Sequence, residues 1–325
     1  MKKISTGIIG LGRITHGYED DPHVVSRMKY PTHLSAIKAI DDFELVAASD
    51  ESATAREVFK GKVDHQVAIY SSAKKLISSQ KLDLLVVATN TNSHIQICDL
   101  AIDAGIKFIL CEKPISYSYQ SAKRIVDKAK KHNVGFAVNY FRGFTDSYIR
   151  LIESIKEGKF GRVQSINCKY TKGLYNNGSH FINLLLKISP DVKSAQGFFD
   201  RAASKETDKT MDCVISFRDG FNAFIQGLDY KFFNLFEMDI LLENGRINIQ
   251  NDKLNLYRVE RSSNFLTRSR QSGFFVDISG GLLPVYKNID NYFLGKKNNI
   301  VWGEEALAAL KIIALIERNS KWGKN

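Results

Sequence analysis

The sequence, 325 residues long, is short of several things, and each shortage excludes something. Its four cysteines, Cys98, Cys111, Cys168 and Cys213, never fall at C-x-x-C spacing, which argues against a zinc site. Cys98 sits in a helical pattern and the other three in strand-like runs, as buried free thiols of a reducing cytoplasm do. No apolar run approaches the roughly 20 residues that a membrane helix needs, so no membrane partner is expected. Met1-Lys2-Lys3 leads directly into a strand, without the apolar core or cleavage site of a signal peptide, and the expected location is cytoplasmic. No internal repeat and no low-complexity linker interrupts the chain. Acids are the minority, 35 against 46 Lys and Arg, for a net charge of +11. That balance suits nucleic acid, an anionic membrane surface or an anionic small substrate. The lysines are scattered (Lys74-Lys75, Lys128, Lys130-Lys131, Lys296-Lys297) and not interleaved with aromatics. A solvated basic surface is therefore a plainer reading than nucleic acid, and a nucleotide-sugar substrate is compatible with it.

What is present is the composition of an ordinary soluble enzyme, 44% apolar and 25% charged, with enough length for two domains. The chain is organised around its first strand. Ile4 to Ile9 reads as a buried parallel strand ending in Gly10-x-Gly12-x-x-Thr15, close to the dinucleotide fingerprint G-x-G-x-x-G/A. Gly10 permits a tight turn, and Gly12 lets a pyrophosphate approach the backbone. N–H groups at the start of the following helix then meet its charge. The third position should be small for close helix–strand packing, and Thr15 is a tolerable departure.

The helical pattern then breaks. His16 to Pro31 holds Gly17, Asp20-Asp21-Pro22 and Pro31, which no continuous helix tolerates. Helical spacing resumes at Thr32–Ile40 with Thr32 as cap. Gly17–Pro31 reads as an insertion in the first crossover, either a surface loop or a flap over cofactor or substrate. Phe43–Asp50 is the second strand. It ends in the acid that a dinucleotide fold aims at the adenosine ribose hydroxyls, although a strand-end turn is the plainer role of such a residue. Asp50-Glu51 would repel a 2′-phosphate and no Arg follows immediately, which favours NAD over NADP. Val67–Tyr70, Leu82–Thr89, Phe108–Cys111 and Gly135–Tyr140 read as further strands. Ser72–Ser79, His94–Ala104 and Ser118–His132 are the helices between them, and Asn90–Ser93 is a polar loop. This alternation predicts an α/β fold with an N-terminal Rossmann doubly wound parallel sheet.

Beyond the helix Tyr148–Glu157 the pattern changes. Val163–Tyr170, Ala195–Arg201, Asp212–Phe217, Phe221–Leu228, Phe236–Leu242, Arg246–Ile249 and Leu254–Val259 read as strands. Asp219-Gly220 and Asn244-Gly245 read as hairpin turns. Asn177–Ile188, Leu282–Phe293 and Glu304–Ser320 read as helices. The expected division is a dinucleotide-binding domain, 1–140, and an α+β substrate-binding and oligomerisation domain with a mostly antiparallel sheet, 141–325. The last helix, about residues 304–320, is free to pack back on the first domain.

Four motifs occur in a specific order: Gly7-Ile-Ile-Gly10-Leu-Gly12-Arg13-Ile14, Ala88-Thr89 followed by His94, Glu112-Lys113-Pro114, and Asn176-Asn177-Gly178-Ser179-His180. Together they resemble the glucose-fructose oxidoreductase/inositol dehydrogenase (Gfo/Idh/MocA) family over nearly the whole chain. The resemblance implies a Rossmann domain, a sheet domain that supplies the substrate pocket, NAD(P)-dependent redox at a sugar or polyol carbon, and a homodimer or homotetramer. It makes Lys113 the lysine that contacts the nicotinamide ribose and the reacting oxygen, where an ammonium stabilises a developing alkoxide or relays its proton. It makes His180, at a helix start whose dipole disfavours imidazolium, the group that accepts or relays the substrate proton. In the family this histidine belongs to a D-x-G-x-H pattern. Here Asn176 stands at the Asp position and Asn183 at the later acid position, and an amide orients a hydroxyl but takes no proton.

By the same resemblance Gly10, Gly12, Arg13, Ile14, Asp50, Thr89, Asn90, His94, Glu112 and Lys113 hold the cofactor, with Arg13 at the pyrophosphate. His94 could equally be a packing residue. Glu112 is expected to be structural or to hold cofactor, and the Lys113–Pro114 bond to be cis, as is frequent in the family. Asn139, Arg142, Tyr175, Asn176 and Asn183 are candidates for substrate. Arg142 reads equally as a surface arginine and Tyr175 equally as a core residue. Two other functions stay open: an NAD-dependent sugar epimerase or glycosidase with transient redox, and a non-enzymatic dinucleotide-sensing regulator.

Overall fold

The structure, a computed structural model, describes residues 3–200, 207–250, 253–261, 267–272 and 278–320. It divides into two units, one built from Met1–Thr145 and Ile278–Leu307, the other from Asp146–Asp277 and Ala308–Asn325.

The first unit holds a six-stranded parallel sheet of β1 (Ile4–Ile9), β2 (Phe43–Ser49), β3 (Ala68–Tyr70), β4 (Leu84–Val87), β5 (Phe108–Cys111) and β6 (Gly135–Val138). The strand order is β3-β2-β1-β4-β5-β6. β4 and β5 are buried at every position, as strands covered on both faces must be. Gly135 pairs with Phe108, and a Cβ there would lie 2.4 Å from the Phe108 ring. That ring packs among Tyr292, Phe293 and Trp302. The order reverses between β1 and β4, so the crevice beyond their carboxyl ends is where this architecture binds ligands.

The helices are α1 (Pro22–Val25), α2 (His33–Lys38), α3 (Ala53–Lys60), α4 (Ala73–Ser79), α5 (Thr91–Asp103) and α6 (Tyr119–Lys131), followed after the second unit's strands by α9 (Leu283–Phe293). The first crossover shows how the sequence solves its own interruption. The His33 N–H donates to the Ile14 carbonyl at 3.0 Å, and the Leu34 N–H to Thr15 at 3.0 Å. These are the bonds of a helix continued across the gap. His33 lies 19 positions after Ile14, whereas a helix sets donor 4 after acceptor. The excess of 15 is the length of Gly17–Pro31, the stretch read from sequence as an insertion. Thr32 closes the joint with a capping box to Ser35. The inserted stretch is itself tied down. Lys29 N–H donates to the Ser279 carbonyl at 2.7 Å, and Leu282 N–H to Tyr30 at 2.8 Å.

Several local readings need correction. α5 begins at Thr91, so the polar loop Asn90–Ser93 is its cap and first turn. A first turn has its N–H groups open to water and needs no apolar residue. α3, eight residues long and burying only Phe59, has no counterpart among the expected helices.

The second unit is an eight-stranded sheet of β7 (Val163–Thr171), β8 (Val192–Asp200), β9 (Met211–Phe217), β10 (Asn222–Leu228), β11 (Phe236–Leu242), β12 (Gly245–Gln250), β13 (Lys253–Arg261) and β14 (Thr267–Ser272). The helices α7 (Asp146–Lys156) and α8 (Ser179–Ile188) accompany it. α10 (Gly303–Arg318) gives its first turn to the first unit and the rest to this one. The pairings are antiparallel except β7 with β10, which run parallel in mid-sheet. Burial alternates along β9, β10 and β11, so one face of the sheet is core. On that core side Phe181 of α8 stacks on Phe236 at 3.8 Å. β14 is not among the expected strands; Thr-Arg-Ser-Arg-Gln-Ser carries no apolar alternation to reveal it. Arg201, expected to end β8, lies outside the described residues. No helix among the described residues is long and apolar enough to cross a membrane, and the four cysteines are buried thiols.

Candidate active site

The switch point of the first sheet gathers most of the expected cofactor residues. Gly10 follows β1 with φ +95°, and a Cβ there would sit 2.5 Å from the Ala88 carbonyl carbon and oxygen. Only glycine lets the β1 and β4 ends approach so closely. Thr15, the small-residue departure, is fully buried and donates its hydroxyl to the Gly10 carbonyl at 2.6 Å, locking the turn. Gly12 is exposed, with nothing within 4 Å of an added Cβ. The N–H groups of Gly12, Arg13 and Ile14 meet no acceptor among the described residues. A bare, glycine-sided row of N–H groups at this position is the cradle a pyrophosphate needs, so the turn fits a dinucleotide.

Asp50 accepts the Leu11 N–H on Oδ2 and the Ser52 N–H on Oδ1, each at 2.8 Å. It is thus both the strand-end turn residue and a brace of the glycine turn, and each oxygen keeps a lone pair for a ribose hydroxyl. Arg56 was not singled out from sequence. It reaches back from α3 to donate Nη1 to the Asp50 and Glu51 carbonyls at 2.8 and 2.9 Å. Arg13, expected at the pyrophosphate, is drawn toward the insertion. Its guanidinium pairs with Asp21 at 3.0 Å and lies over the Tyr18 ring.

At the neighbouring corner Thr89 and Asn90 follow β4, with the Thr89 hydroxyl accepting from Ser93 at 2.8 Å. His94 is buried, its Nδ1 2.9 Å from the Pro114 carbonyl and its Nε2 3.0 Å from Thr89's. The ring therefore clamps the loops after β4 and β5, which is the packing alternative of its two expected roles. Burial pushes its pKa down, against the raising effect of both carbonyls. A neutral ring donates one N–H, so it bonds one carbonyl and rests against the other. A base whose folded pKa is depressed contributes stability that is full above its unfolded value near 6.5 and is lost as pH falls through it. His94→Gln should therefore flatten the loss of stability between about pH 7 and 5, removing a slope of up to about 1.4 kcal/mol per pH unit in urea titrations. An unchanged slope would show that His94 titrates alike in both states.

Glu112 ends β5 and is buried. Burial alone would raise its pKa. The hydrogen bond and charge of His33, then Lys113 and Asn139, more than offset it and hold the carboxyl below its usual range. Asn139, expected at the substrate, donates Nδ2 to Glu112 Oε1 at 2.5 Å. That fixes which way the amide points, since a carboxylate only accepts. Lys113 is half-buried, its N–H donates to Glu112 Oε2 at 3.3 Å, and the Lys113–Pro114 bond is cis. Arg142 is buried with its guanidinium over the Phe141 ring at 4.6 Å, so it is no surface arginine.

The remaining candidates lie in the second unit. Leu174–Gly178 forms a π-helical turn running straight into α8, and His180 is the second residue of that helix. His180 and Asn183 are buried, and Asn176 is half-buried. Tyr175 is buried as a core residue, donating its hydroxyl to Glu317 Oε2 at 2.7 Å. One residue had no sequence signal at all. Asp208 is buried and accepts the Tyr175 N–H on Oδ1 at 2.7 Å and the Asn176 N–H on Oδ2 at 3.0 Å. Its carboxyl fills the space that a Cβ on Gly173 would need, 2.1 Å from the nearest oxygen. An acid from more than thirty residues away thus shapes the turn that carries Asn176.

Comparison with known proteins gives the same picture. The family model described as "Oxidoreductase family, NAD-binding Rossmann fold" matches residues 4–140. Myo-inositol 2-dehydrogenase of Thermotoga maritima is 28% identical over 156 residues, 48% of this chain and 42% of that protein. The rhizopine catabolism protein MocA of Rhizobium meliloti is 25% identical over 169 residues, 52% and 47% of the two chains. The matched stretch thus spans less than half the length of these relatives. The solved WlbA dehydrogenase of Bordetella pertussis, in complex with NADH and UDP-GlcNAcA, shares the fold. It has a TM-score of 0.78 at 19% identity, over 98% of this chain and 95% of that one.

Proposed function

We propose that this chain, whose residues 4–140 belong to the Gfo/Idh/MocA oxidoreductase family, transfers a hydride between NAD(H) and a hydroxyl-bearing carbon of a sugar, as a free or nucleotide sugar. The observation that carries this reading is the open Gly12 cradle at the switch point, with only β4 between its strand and the one that ends in the Glu112-Lys113 corner. The residues that would hold the dinucleotide are the Gly10–Ile14 turn, Asp50, Thr89, Asn90 and Lys113. When bound, NAD supplies the hydride acceptor. Lys113 Nζ stabilises the alkoxide left by the substrate hydroxyl, and the His180 imidazole takes the proton. Asn176 and Asn183 orient hydroxyls without titrating, and Arg142 offers a cation to an anionic substrate.

NAD is favoured over NADP by the paired carboxylates Asp50 and Glu51 and by Arg56, whose Nη1 is committed to backbone carbonyls. A nucleotide sugar is supported by the net charge of +11 and by the UDP-GlcNAcA bound to the WlbA dehydrogenase of like fold. Exposed Phe224 and Leu241 share the open face of the second sheet and support a homodimer or homotetramer; a monomer in sedimentation velocity would refute that assembly.

The test of function is a thermal-shift series on NADH-saturated protein with UDP-, GDP-, CMP- and dTDP-sugars against free sugars and polyols. A ligand at a hundredfold excess over its dissociation constant adds about 2.7 kcal/mol. Stabilisation by one nucleotide class alone is the expected result. Stabilisation by free polyols alone would make this a polyol dehydrogenase, and no response to NADH would end the dinucleotide reading.

A further inference from the structure

His33 was read from sequence only as part of a helix, yet it stands at the centre of a buried polar chain. Its side chain is fully buried. Its backbone N–H donates to the Ile14 carbonyl at 3.0 Å, on the glycine turn. Its ring lies between two partners: Nδ1 is 2.8 Å from the Tyr286 hydroxyl, and Nε2 is 3.1 Å from Glu112 Oε1. Burial, with the charge of Glu112, keeps Tyr286 a phenol, whose hydroxyl shares a hydrogen bond with Nδ1. The Glu112 carboxylate only accepts, so Nε2 donates to it. Glu112 passes the orientation on, through Oε1 to the Asn139 amide and through Oε2 to the Lys113 N–H. One residue is therefore bonded by its backbone to the cradle for the pyrophosphate and by its ring to the acid that precedes Lys113. The two partners come from distant sequence, 79 and 253 positions away.

We propose that His33 is a positioning residue for the nicotinamide end of the bound dinucleotide, aiming Glu112 and with it the Lys113 corner from the backbone site that closes the glycine turn. The proposal rests on the dinucleotide reading above. A buried carboxylate that loses a hydrogen-bonded partner is left under-compensated and turns toward whatever donor remains. Losing the ring should thus disturb the Glu112-Lys113 corner and leave the β1–β2 end, which Asp50 braces separately, as it was.

The test compares two probes on the full chain, NADH and ADP-ribose, the second lacking the nicotinamide half. His33→Phe should weaken NADH at least about tenfold, while ADP-ribose stays within about twofold. His33→Gln sets an amide N–H where Nε2–H stood and should recover most of the NADH affinity, as a filled core volume alone would not. Parallel loss of both ligands, NADH binding unchanged in H33F, or no rescue by H33Q would each overturn the proposal. If H33F does not fold, Tyr286→Phe removes only the hydroxyl that fixes the ring. Weaker NADH with unchanged ADP-ribose supports the proposal, and equal effects on both refute it. A wild-type chain that binds neither probe would refute the dinucleotide reading itself. A wild type that binds both, with H33F indifferent, refutes only the role of His33.

Discussion

Alanine at Gly12 is expected to leave the fold intact and to weaken dinucleotide binding, whereas alanine at Gly10 destabilises the fold as well. The two glycines stand two residues apart in one turn, and the difference lies in what a methyl group would meet. At Gly12 it meets nothing within 4 Å, and the backbone there needs no left-handed conformation. The methyl group occupies only the space from which a pyrophosphate would reach the N–H row. Each charge-assisted hydrogen bond to a phosphate oxygen is worth roughly 1.5–3 kcal/mol. Losing even one should weaken NADH by about tenfold to a hundredfold. At Gly10 the methyl group would stand 2.5 Å from the Ala88 backbone, at φ +95°. Strain at such a φ costs about 1–3 kcal/mol, and forcing β1 and β4 apart adds a similar amount. Urea unfolding with NADH titration separates the cases. G12A that binds NADH like wild type would mean that the cradle is not where the cofactor sits.

Lys113→Met should lower turnover by about a hundredfold to a thousandfold, the usual worth of a group that stabilises a developing oxyanion in the transition state. NADH binding should change far less, because the glycine turn and Asp50 hold the other half of the cofactor. The substrate for this assay is whichever sugar the thermal-shift series selects. His180→Ala should cost a comparable factor, and the double variant little more than either single, since groups that act together on one hydroxyl are not additive. With K113M, turnover within about threefold of wild type would remove Lys113 from the chemistry.

Much of the first unit could be read from the chain because its signals are local. An apolar run ending in Gly10-x-Gly12 announces both a strand and a turn, and the insertion betrays itself by Asp20-Asp21-Pro22 and Pro31. The same holds for β4 and β5, whose unbroken apolar residues match strands covered on both faces. What escaped is non-local or unpatterned. α3 is short and buries one side chain, and β14 is polar throughout, so β14 carries no apolar alternation. Arg13 faces the phosphate turn in sequence but finds Asp21 in space, because the insertion folds back on it. Asp208 and His33 act through partners tens to hundreds of positions away, and such pairings leave no mark on their own neighbourhoods. Asn176 could be singled out from sequence; the acid bonded to its backbone could not.

The split crossover has one more consequence. Between Ile14 and His33 the helical ladder is closed through space, not along the backbone, so its register is indifferent to how many residues the chain spends on the way. Such a seam can lengthen, shorten or exchange its contents while the sheet and the cradle keep their geometry. Fifteen residues occupy it in this chain, anchored at Ser279 and Leu282. The joint makes the rim of the crevice beyond β1 and β4 a natural port for grafting a foreign loop.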